Sequence, residues 1–282
     1  MKIIDAHIHL FEKPYSDVYD NSHIKNGADG EVSLFEEYRK KHNVESAFVI
    51  CHEDRHCPDN NAFIEKLGKE REWIYSFASI KAEAETFADQ ASAMLSKGHF
   101  GLSSYLKSAD SGRWLCSPKL DKLWDTLQKC NIPISFGVDN DQCASLFALL
   151  KKHMNLTVLV NHMGRPRLLR DGGLDNSAYH GVLWLASFEN VYIKLSAFYA
   201  FSAKSWDYPH ADLFCVLKTL KREFGGDRLL FASDFAPVLE FNTYRQTIEM
   251  LKEPGTGFES SELERIYFLN AKRIIDGRMR DN

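Results

Sequence analysis

Residues 3–11 read IIDAHIHLF, a short apolar and β-branched run that carries two histidines one residue apart. Because residues i and i+2 of a strand share a face, strict alternation places His7 and His9 on one side and Ile4 and Ala6 on the other. Two interpretations follow from this spacing. Either the histidines decorate a solvated face, or their imidazoles converge on one ion or one substrate. This segment alone leaves both open.

Seven further runs of this kind follow along the chain, most of them separated by amphipathic helical patterns such as KLDKLWDTLQKC at 119–130. Strands are predicted at 3–9, 46–51, 74–80, 99–105, 132–138, 156–161, 191–196 and 228–233. A final helix is predicted over 260–275, with Ser260 or Ser261 as its cap. Eight strand–helix units without a linker predict a single α/β domain over residues 1–282, a closed (β/α)₈ TIM barrel.

The composition excludes several classes of function. The net charge is −4, with Lys and Arg balanced by Asp and Glu, so no nucleic-acid surface is expected. No apolar run reaches the roughly 18–20 residues that span a bilayer, so no membrane partner is expected. Six cysteines without CxxC spacing indicate reduced thiols in a cytoplasmic protein. The expected partner is a small-molecule substrate, and the sequence leaves a homo-oligomer open.

Ionisable residues follow three of the predicted strands. His7 and His9 end the first strand, His162 follows the sixth, and Asp234 follows the eighth. In a parallel barrel the carboxyl ends of all strands surround one pocket. Strands one and eight are neighbours when the barrel closes, so we expect His7, His9 and Asp234 to meet across that seam.

Two imidazole nitrogens and one carboxylate suit one divalent ion, zinc or manganese, with an open position for water. Such an ion on His7, His9 and Asp234 would lower the pKa of its water and supply hydroxide at neutral pH. Asp234 is the expected catalytic base for that water. His162 is the expected hydrogen-bond donor to the substrate carbonyl oxygen.

Several longer motifs accompany these residues: IIDAHIHLF, NHMGRP (161–166), NVYIKLSAFY (190–199), DRLLFASDFAP (227–237) and FLNAKRI (268–274). With them the chain resembles the amidohydrolase superfamily over nearly its whole length. The resemblance is to the amidohydrolase-related (type 2) branch, which includes sugar lactonases, 2-pyrone-4,6-dicarboxylate lactonases and decarboxylases of the ACMSD type. It implies a TIM barrel with hydrolytic or decarboxylating chemistry, and functional positions for His7, His9, His162 and Asp234.

The chain departs from that pattern at two strands. Metal-binding members usually end the fifth strand with a histidine ligand, where this chain has Gly137, and the fourth strand lacks a central bridging lysine. A two-metal site is therefore not expected, and a single ion has lost one nitrogen donor. Within this branch, the pyrone-dicarboxylate lactonases look like members that catalyse without a bound metal. In that version Asp234 activates water while the imidazoles polarise the lactone carbonyl, so metal-free catalysis stays open.

Cationic and aromatic residues in the loops after the strands are candidates for substrate binding. They are Arg55 after the second strand, Tyr105 and Lys107 at the end of the fourth, and Arg165 after the sixth. Because an arginine fork binds a carboxylate in a bidentate manner, these residues favour a small anionic substrate. Lys194 lies inside the seventh strand and faces either the barrel interior or the helix layer.

The sequence therefore predicts a hydrolase that opens a small, anionic lactone, or a related ester or amide, with water activated by Asp234. Two alternatives remain. One is a metal-dependent, non-oxidative decarboxylase, and the other is a barrel that binds a ligand without catalysis. The long polar loop at 12–30 is predicted to form a lid over the pocket.

Overall fold

The computed structural model describes residues 1–13, 15, 30–83, 85–106 and 111–279. Eight parallel strands form one sheet in sequential order. They are β1 (Ile3–Ile8), β2 (Val44–Ile50), β3 (Ile74–Ser79), β4 (Gly101–Tyr105), β5 (Ile134–Gly137), β6 (Val158–Val160), β7 (Val191–Leu195) and β8 (Leu229–Phe231). Each overlaps one of the runs predicted from the sequence.

The first and last strands meet at a seam that brings the sheet close to a complete barrel. Ile8 forms a parallel bridge with Phe235, just beyond the end of β8. The backbone N–H of Asp234 donates to the carbonyl of His7 at 2.9 Å. The predicted TIM barrel is confirmed, and the seam places the end of β1 beside the residues that follow β8.

Helices occupy the connections between the strands and the segment that follows β8. They are α1 (Gly30–His42), α2 (Asn60–Glu70), α3 (Phe87–Ser96), α4 (Asp121–Lys129), α5 (Cys143–Lys152), α6 (His180–Trp184), α7 (Phe198–Phe201), α8 (Phe214–Phe224), α9 (Tyr244–Met250), α10 (Ser260–Glu264) and α11 (Asn270–Met279). None of the helices within the described ranges is both long and apolar enough to cross a membrane.

The final segment differs from the single helix predicted for it. A π-helical turn at Arg265–Leu269 separates α10 from α11. The cap is Glu259 rather than Ser260 or Ser261. Its side chain accepts the backbone N–H of Glu262, and the Glu262 side chain reaches back to the N–H of Glu259. A carboxylate at this position also favours the positive end of the helix dipole, so it replaces the predicted serine.

Two apolar clusters hold the barrel together. The larger one lies between the strands and the surrounding helices. The smaller one contains alternate strand residues such as Ile4, Phe48 and Leu230, packed with Ile274 of α11. The last helix therefore covers the end of the barrel interior that is opposite the carboxyl ends of the strands.

Strand β1 breaks the strict alternation predicted for it. Its pairing with β2 shifts register between Asp5 and Ile8. As a result Ala6 packs in the smaller cluster, whereas Ile8 packs in the larger one, although simple alternation puts both on one face. Such an irregularity re-aims side chains beside a site. Here it accompanies the turn of the two histidines toward the carboxyl-terminal opening of the barrel.

Two sequence predictions concern residues whose placement the structure leaves out. Lys107 lies outside the described residues. So does most of the loop at 12–30 that was predicted to form a lid. Both stay predictions.

Candidate active site

His7, His9 and Asp234 come together at the carboxyl-terminal opening of the barrel. Nε2 of His7 lies 3.1 Å from Nε2 of His9, and each of these nitrogens lies 3.6 Å from Oδ1 of Asp234. All three side chains are buried. Within the described part of the chain, they form the one group of ligand-type atoms close enough together to hold an ion.

Neighbouring residues fix the Asp234 carboxylate in this place. The Tyr199 hydroxyl donates to Oδ2 at 2.7 Å, and the Tyr199 ring stacks on Phe241 with centroids 4.6 Å apart. The backbone at Asp234 is left-handed, with φ of 62°. A left-handed aspartate is strained and is retained where its surroundings over-determine it, which is common at functional sites.

A second carboxylate, that of Asp5, supports both sides of the seam from beneath. It accepts the backbone N–H groups of His7 at 3.2 Å and Ser233 at 2.9 Å, and the Tyr244 hydroxyl at 2.9 Å. Burial raises the pKa of Asp5 to about 6 against the effect of these hydrogen bonds. Asp5 thus links His7 to Ser233, the residue before Asp234, and sets the position of the histidine pair relative to Asp234.

His162 lies beside the trio rather than within it. Its ring centroid is 4.6 Å from that of His7, and its Nδ1 hydrogen-bonds with Ser196 Oγ at 2.9 Å. Nε2 is therefore the nitrogen that can serve a substrate. The backbone is left-handed at His162, Met163 and Arg165, with φ between 53° and 56°. This turn directs the residues after β6 toward the opening.

Burial makes the three imidazoles neutral at physiological pH. It lowers the pKa of His9 to about 4, although the Asp234 carboxylate acts in the opposite direction. Burial also lowers the pKa of His7 and of His162. Neutral rings offer lone pairs to an ion, or single N–H donors to a substrate oxygen.

The trio fits one divalent ion. Donors bound tetrahedrally at about 2.0–2.2 Å lie roughly 3.3–3.5 Å from one another, close to the distances found here. The hydrogen bonding of His9 is also that of a metal ligand. Its Nδ1 donates to the Ile50 carbonyl at 2.8 Å, which leaves the lone pair of Nε2 free to bind an ion. His7 differs from this pattern, since its Nδ1 faces Lys194 Nζ at 3.4 Å.

The end of β5 has no room for a fourth ligand. A Cβ atom at Gly137 would lie 2.3 Å from Cδ1 of Tyr105, the paired residue on β4. The Tyr105 ring thus fills the space that a side chain at position 137 would need. The predicted loss of a donor on the fifth strand therefore has a structural counterpart in the neighbouring strand.

A cavity of about 480 Å³ opens above the site. Its lining includes Asp139, His162, Arg165, Tyr199 and Asp234. Nη1 of Arg165 donates to Asp139 Oδ1 at 2.8 Å. The structure therefore places the predicted arginine in the cavity wall, already joined to a carboxylate that the sequence reasoning overlooked.

The remaining predicted substrate-binding residues differ in their placement. The Tyr105 ring faces that of His52 at 6.3 Å, and His52 in turn lies 6.0 Å from the His9 ring. Arg55 is exposed on the loop after β2, where its Nε donates to His56. That loop does not line the cavity above Asp234.

Sequence reasoning left the direction of Lys194 open, and the structure turns its side chain into the barrel. The side chain is fully buried, and Nζ donates to Ser135 Oγ at 2.8 Å. Burial lowers the pKa of Lys194 well below its usual value. A lysine between apolar residues in a buried strand was the sequence signal, because such a residue is seldom fully buried without a partner.

Comparison with known proteins identifies the family of this chain. The model of the amidohydrolase family Amidohydro_2 matches residues 4–276. The chain belongs to this amidohydrolase family. No curated protein sequence matches it.

Several solved structures share the amidohydrolase fold. An amidohydrolase from Burkholderia multivorans, crystallised with bound zinc, is 16% identical, with a TM-score of 0.76 and coverage of 98% of this chain and 99% of that one. A probable 2-pyrone-4,6-dicarboxylic acid hydrolase from Acinetobacter baumannii, with citric acid bound, is 17% identical (TM-score 0.73, coverage 98% and 100%). The 2,6-dihydroxybenzoate decarboxylase from Rhizobium is 12% identical (TM-score 0.65, coverage 98% and 99%).

Proposed function

We propose that this amidohydrolase opens a small lactone by hydrolysis, with Asp234 accepting a proton from the attacking water. The observation that carries the proposal is that the buried Asp234 carboxylate lies 3.6 Å from two neutral imidazoles, below an open cavity. A carboxylate is a competent base for water when neighbouring donors hold it in place. Tyr199 is that donor here, through Oδ2, so Oδ1 is the oxygen that faces the histidines.

His162 serves the carbonyl oxygen of the substrate. When the Ser196 hydroxyl donates to Nδ1, the proton of the neutral ring resides on Nε2. That N–H then donates to the oxygen on which negative charge develops as water adds to the carbonyl carbon. Because a lactone is an activated ester, hydrogen-bond donors of this kind suffice more readily than they would for an amide.

A divalent ion is compatible with the same residues. His7, His9 and Asp234 would hold it, and it would supply a water of lowered pKa and polarise the carbonyl. The zinc in the Burkholderia protein supports this variant, whereas the departure at Gly137 and the contact of His7 with Lys194 support catalysis without an ion.

The substrate of this proposal carries a carboxylate. Arg165 lies in the cavity wall, and Asp139 holds its guanidinium through Nη1. A guanidinium presents five N–H donors, so the others can bind a carboxylate while Asp139 keeps the group in place. The hydrolase from Acinetobacter, crystallised with the polycarboxylate citric acid, adds support for this substrate class.

The test measures acid release from a panel of five- and six-membered lactones, with and without a carboxylate. Asp234→Asn should lower turnover about 10²- to 10⁴-fold and preserve the fold, because the amide cannot accept the proton. Asp227→Asn is the matched control, since Asp227 is exposed and pairs with Arg265 far from the cavity. Turnover by Asp234→Asn at the wild-type rate would refute the proposal.

The same purified protein separates the alternatives. Elemental analysis paired with activity after chelation distinguishes the ion-dependent from the ion-free route. Release of CO₂ from aromatic carboxylic acids, with no lactone opening, would favour the decarboxylase that the Rhizobium neighbour suggests. Thermal stabilisation by the panel without any turnover would favour a binding barrel.

A further inference from the structure

Lys194 is a buried ionisable group next to the site that the proposed reaction does not use. Its side chain is fully buried, and its polar contacts are with Ser135 Oγ at 2.8 Å and His7 Nδ1 at 3.4 Å. Its Nζ also lies 5.4 Å from the Phe77 ring centroid. Among the described residues, no carboxylate lies within ion-pair distance of Nζ, and Asp5 and Asp234 act on it only at longer range. An amine buried in this way is costly, which argues for a task at the site.

The hydrogen bonds of the histidine pair define that task. A carbonyl oxygen only accepts, so the bond from His9 to Ile50 places the His9 proton on Nδ1. The neutral His9 ring therefore presents a lone pair at Nε2. His7 lies against it with Nε2 at 3.1 Å, so the proton of that contact belongs to His7.

The Nδ1 atom of His7 is then the nitrogen with the lone pair. It faces Lys194 Nζ, and an amine supplies the donor that such a nitrogen requires. Ser135 holds the amine from the other side, and the Ser135 hydroxyl is itself 2.7 Å from Asn161 Oδ1. A continuous line of hydrogen bonds thus runs from β5 and β7 to His7 and His9.

We propose that Lys194 is a positioning residue, which sets the rotation and the tautomer of the His7 ring by donating to Nδ1. With the amine in place, His7 presents Nε2–H to the side of the cavity where His9 and Asp234 lie. The inference rests on the proposed function only for its kinetic consequence. The tautomer can be measured whether or not a lactone is the substrate.

The first measurement uses the full-length wild-type protein after chelation and removal of metal ions. Side-chain ¹⁵N chemical shifts of histidine distinguish a protonated from an unprotonated ring nitrogen, and comparison with His7→Gln assigns the His7 signals. We expect a single neutral tautomer of His7, protonated on Nε2. Protonation on Nδ1, or a mixture of the two tautomers, would overturn the proposal without reference to activity.

The second measurement uses Lys194→Met, which keeps an unbranched side chain only one atom shorter and removes the donor. We expect the His7 signals to move to a mixture of tautomers, and kcat to fall about 10- to 100-fold. KM should change by less than about threefold, because the lost contact does not touch substrate. An unchanged His7 tautomer, or a rise in KM alone, would contradict the assignment.

Two further variants separate positioning from simple packing. Lys194→Gln keeps an N–H donor, so it should retain more kcat than the methionine variant, and the reverse order would overturn the proposal. Lys252→Met is the matched control: its amine lies 5.9 Å from the Tyr267 ring centroid, away from the cavity, and kcat should not change. If Lys194→Met does not fold, the wild-type tautomer decides the question alone.

Discussion

The contact between Gly137 and Tyr105 gives a sharp prediction for Gly137→Ala. The added Cβ would lie 2.3 Å from Cδ1 and 2.8 Å from Cε1 of the tyrosine ring. Carbon atoms that are not bonded to one another pack at about 3.5–4.0 Å, so the ring has to move. The overlap runs along one edge of the ring, from Cγ through Cδ1 to Cε1, and the two residues are partners in adjacent strands, so a small rotation does not relieve it.

Overpacking of this kind costs about 1–3 kcal/mol in the free energy of unfolding. For a chain of this size, each kcal/mol corresponds to a drop of roughly 2–4 °C in Tm. Gly277→Ala is the matched control, because nothing lies within 4 Å of its added Cβ and the residue is in helix α11. There the same substitution should stabilise the protein by about 0.5–1 kcal/mol.

Chemical denaturation of a double-mutant cycle tests the cause. In a Tyr105→Ala background the obstructing ring is gone, so Gly137→Ala should cost less than about 0.5 kcal/mol. An equal cost in both backgrounds would show that the tyrosine ring is not the obstacle, and the reasoning about the fifth-strand position would fail. By the same logic, Gly137→His alone should not gain an additional metal ligand.

Two further predictions concern the support of Asp234 and the stability of the fold at acid pH. Tyr199→Phe removes the hydroxyl that donates to the Asp234 carboxylate at 2.7 Å, a hydrogen bond worth about 1.5–3 kcal/mol. The kcat on a lactone substrate should therefore fall about 10- to 100-fold, and an unchanged kcat would contradict this. Burial lowers the pKa of His99 in the folded protein to about 4 from 6.5, so the unfolded chain binds the extra proton between these values. Stability from this residue is present above pH 6.5 and lost as the pH falls toward 4, by at most about 3 kcal/mol. His99→Gln should flatten the pH dependence of urea unfolding in that window and leave activity at pH 7 unchanged, and an identical slope would exclude this residue as the cause.

The strands and the overall barrel followed from local signals. Each strand is a short apolar run, and the polar residues that matter most directly follow such runs, as His162 and Asp234 do. The closeness of Asp234 to His7 then followed from topology, because strands one and eight are neighbours in a closed barrel. These inferences needed only strand order and no side-chain detail.

The features that escaped prediction depend on contacts between distant segments. The break in alternation of β1 lies where the strand also pairs with the segment after β8, and the sequence of β1 alone does not predict it. Lys194 has the same apolar neighbours in the sequence whether it faces inward or outward. Its direction is revealed only by contacts with residues of other strands, Ser135 and His7. The partner of Arg165, Asp139, belongs to the loop after a different strand.

The Asp5 carboxylate joins positions 228 residues apart in the sequence when it accepts the N–H of Ser233. Its other oxygen accepts the hydroxyl of Tyr244, which is synthesised later than Ser233. During synthesis, therefore, every imidazole of the pocket is present long before Ser233 and Tyr244, the partners through which Asp5 aligns the histidines with Asp234. Catalysis thus reports completion of the whole ring: fragments cut between β1 and β8 should be inert singly and regain turnover only on reassembly.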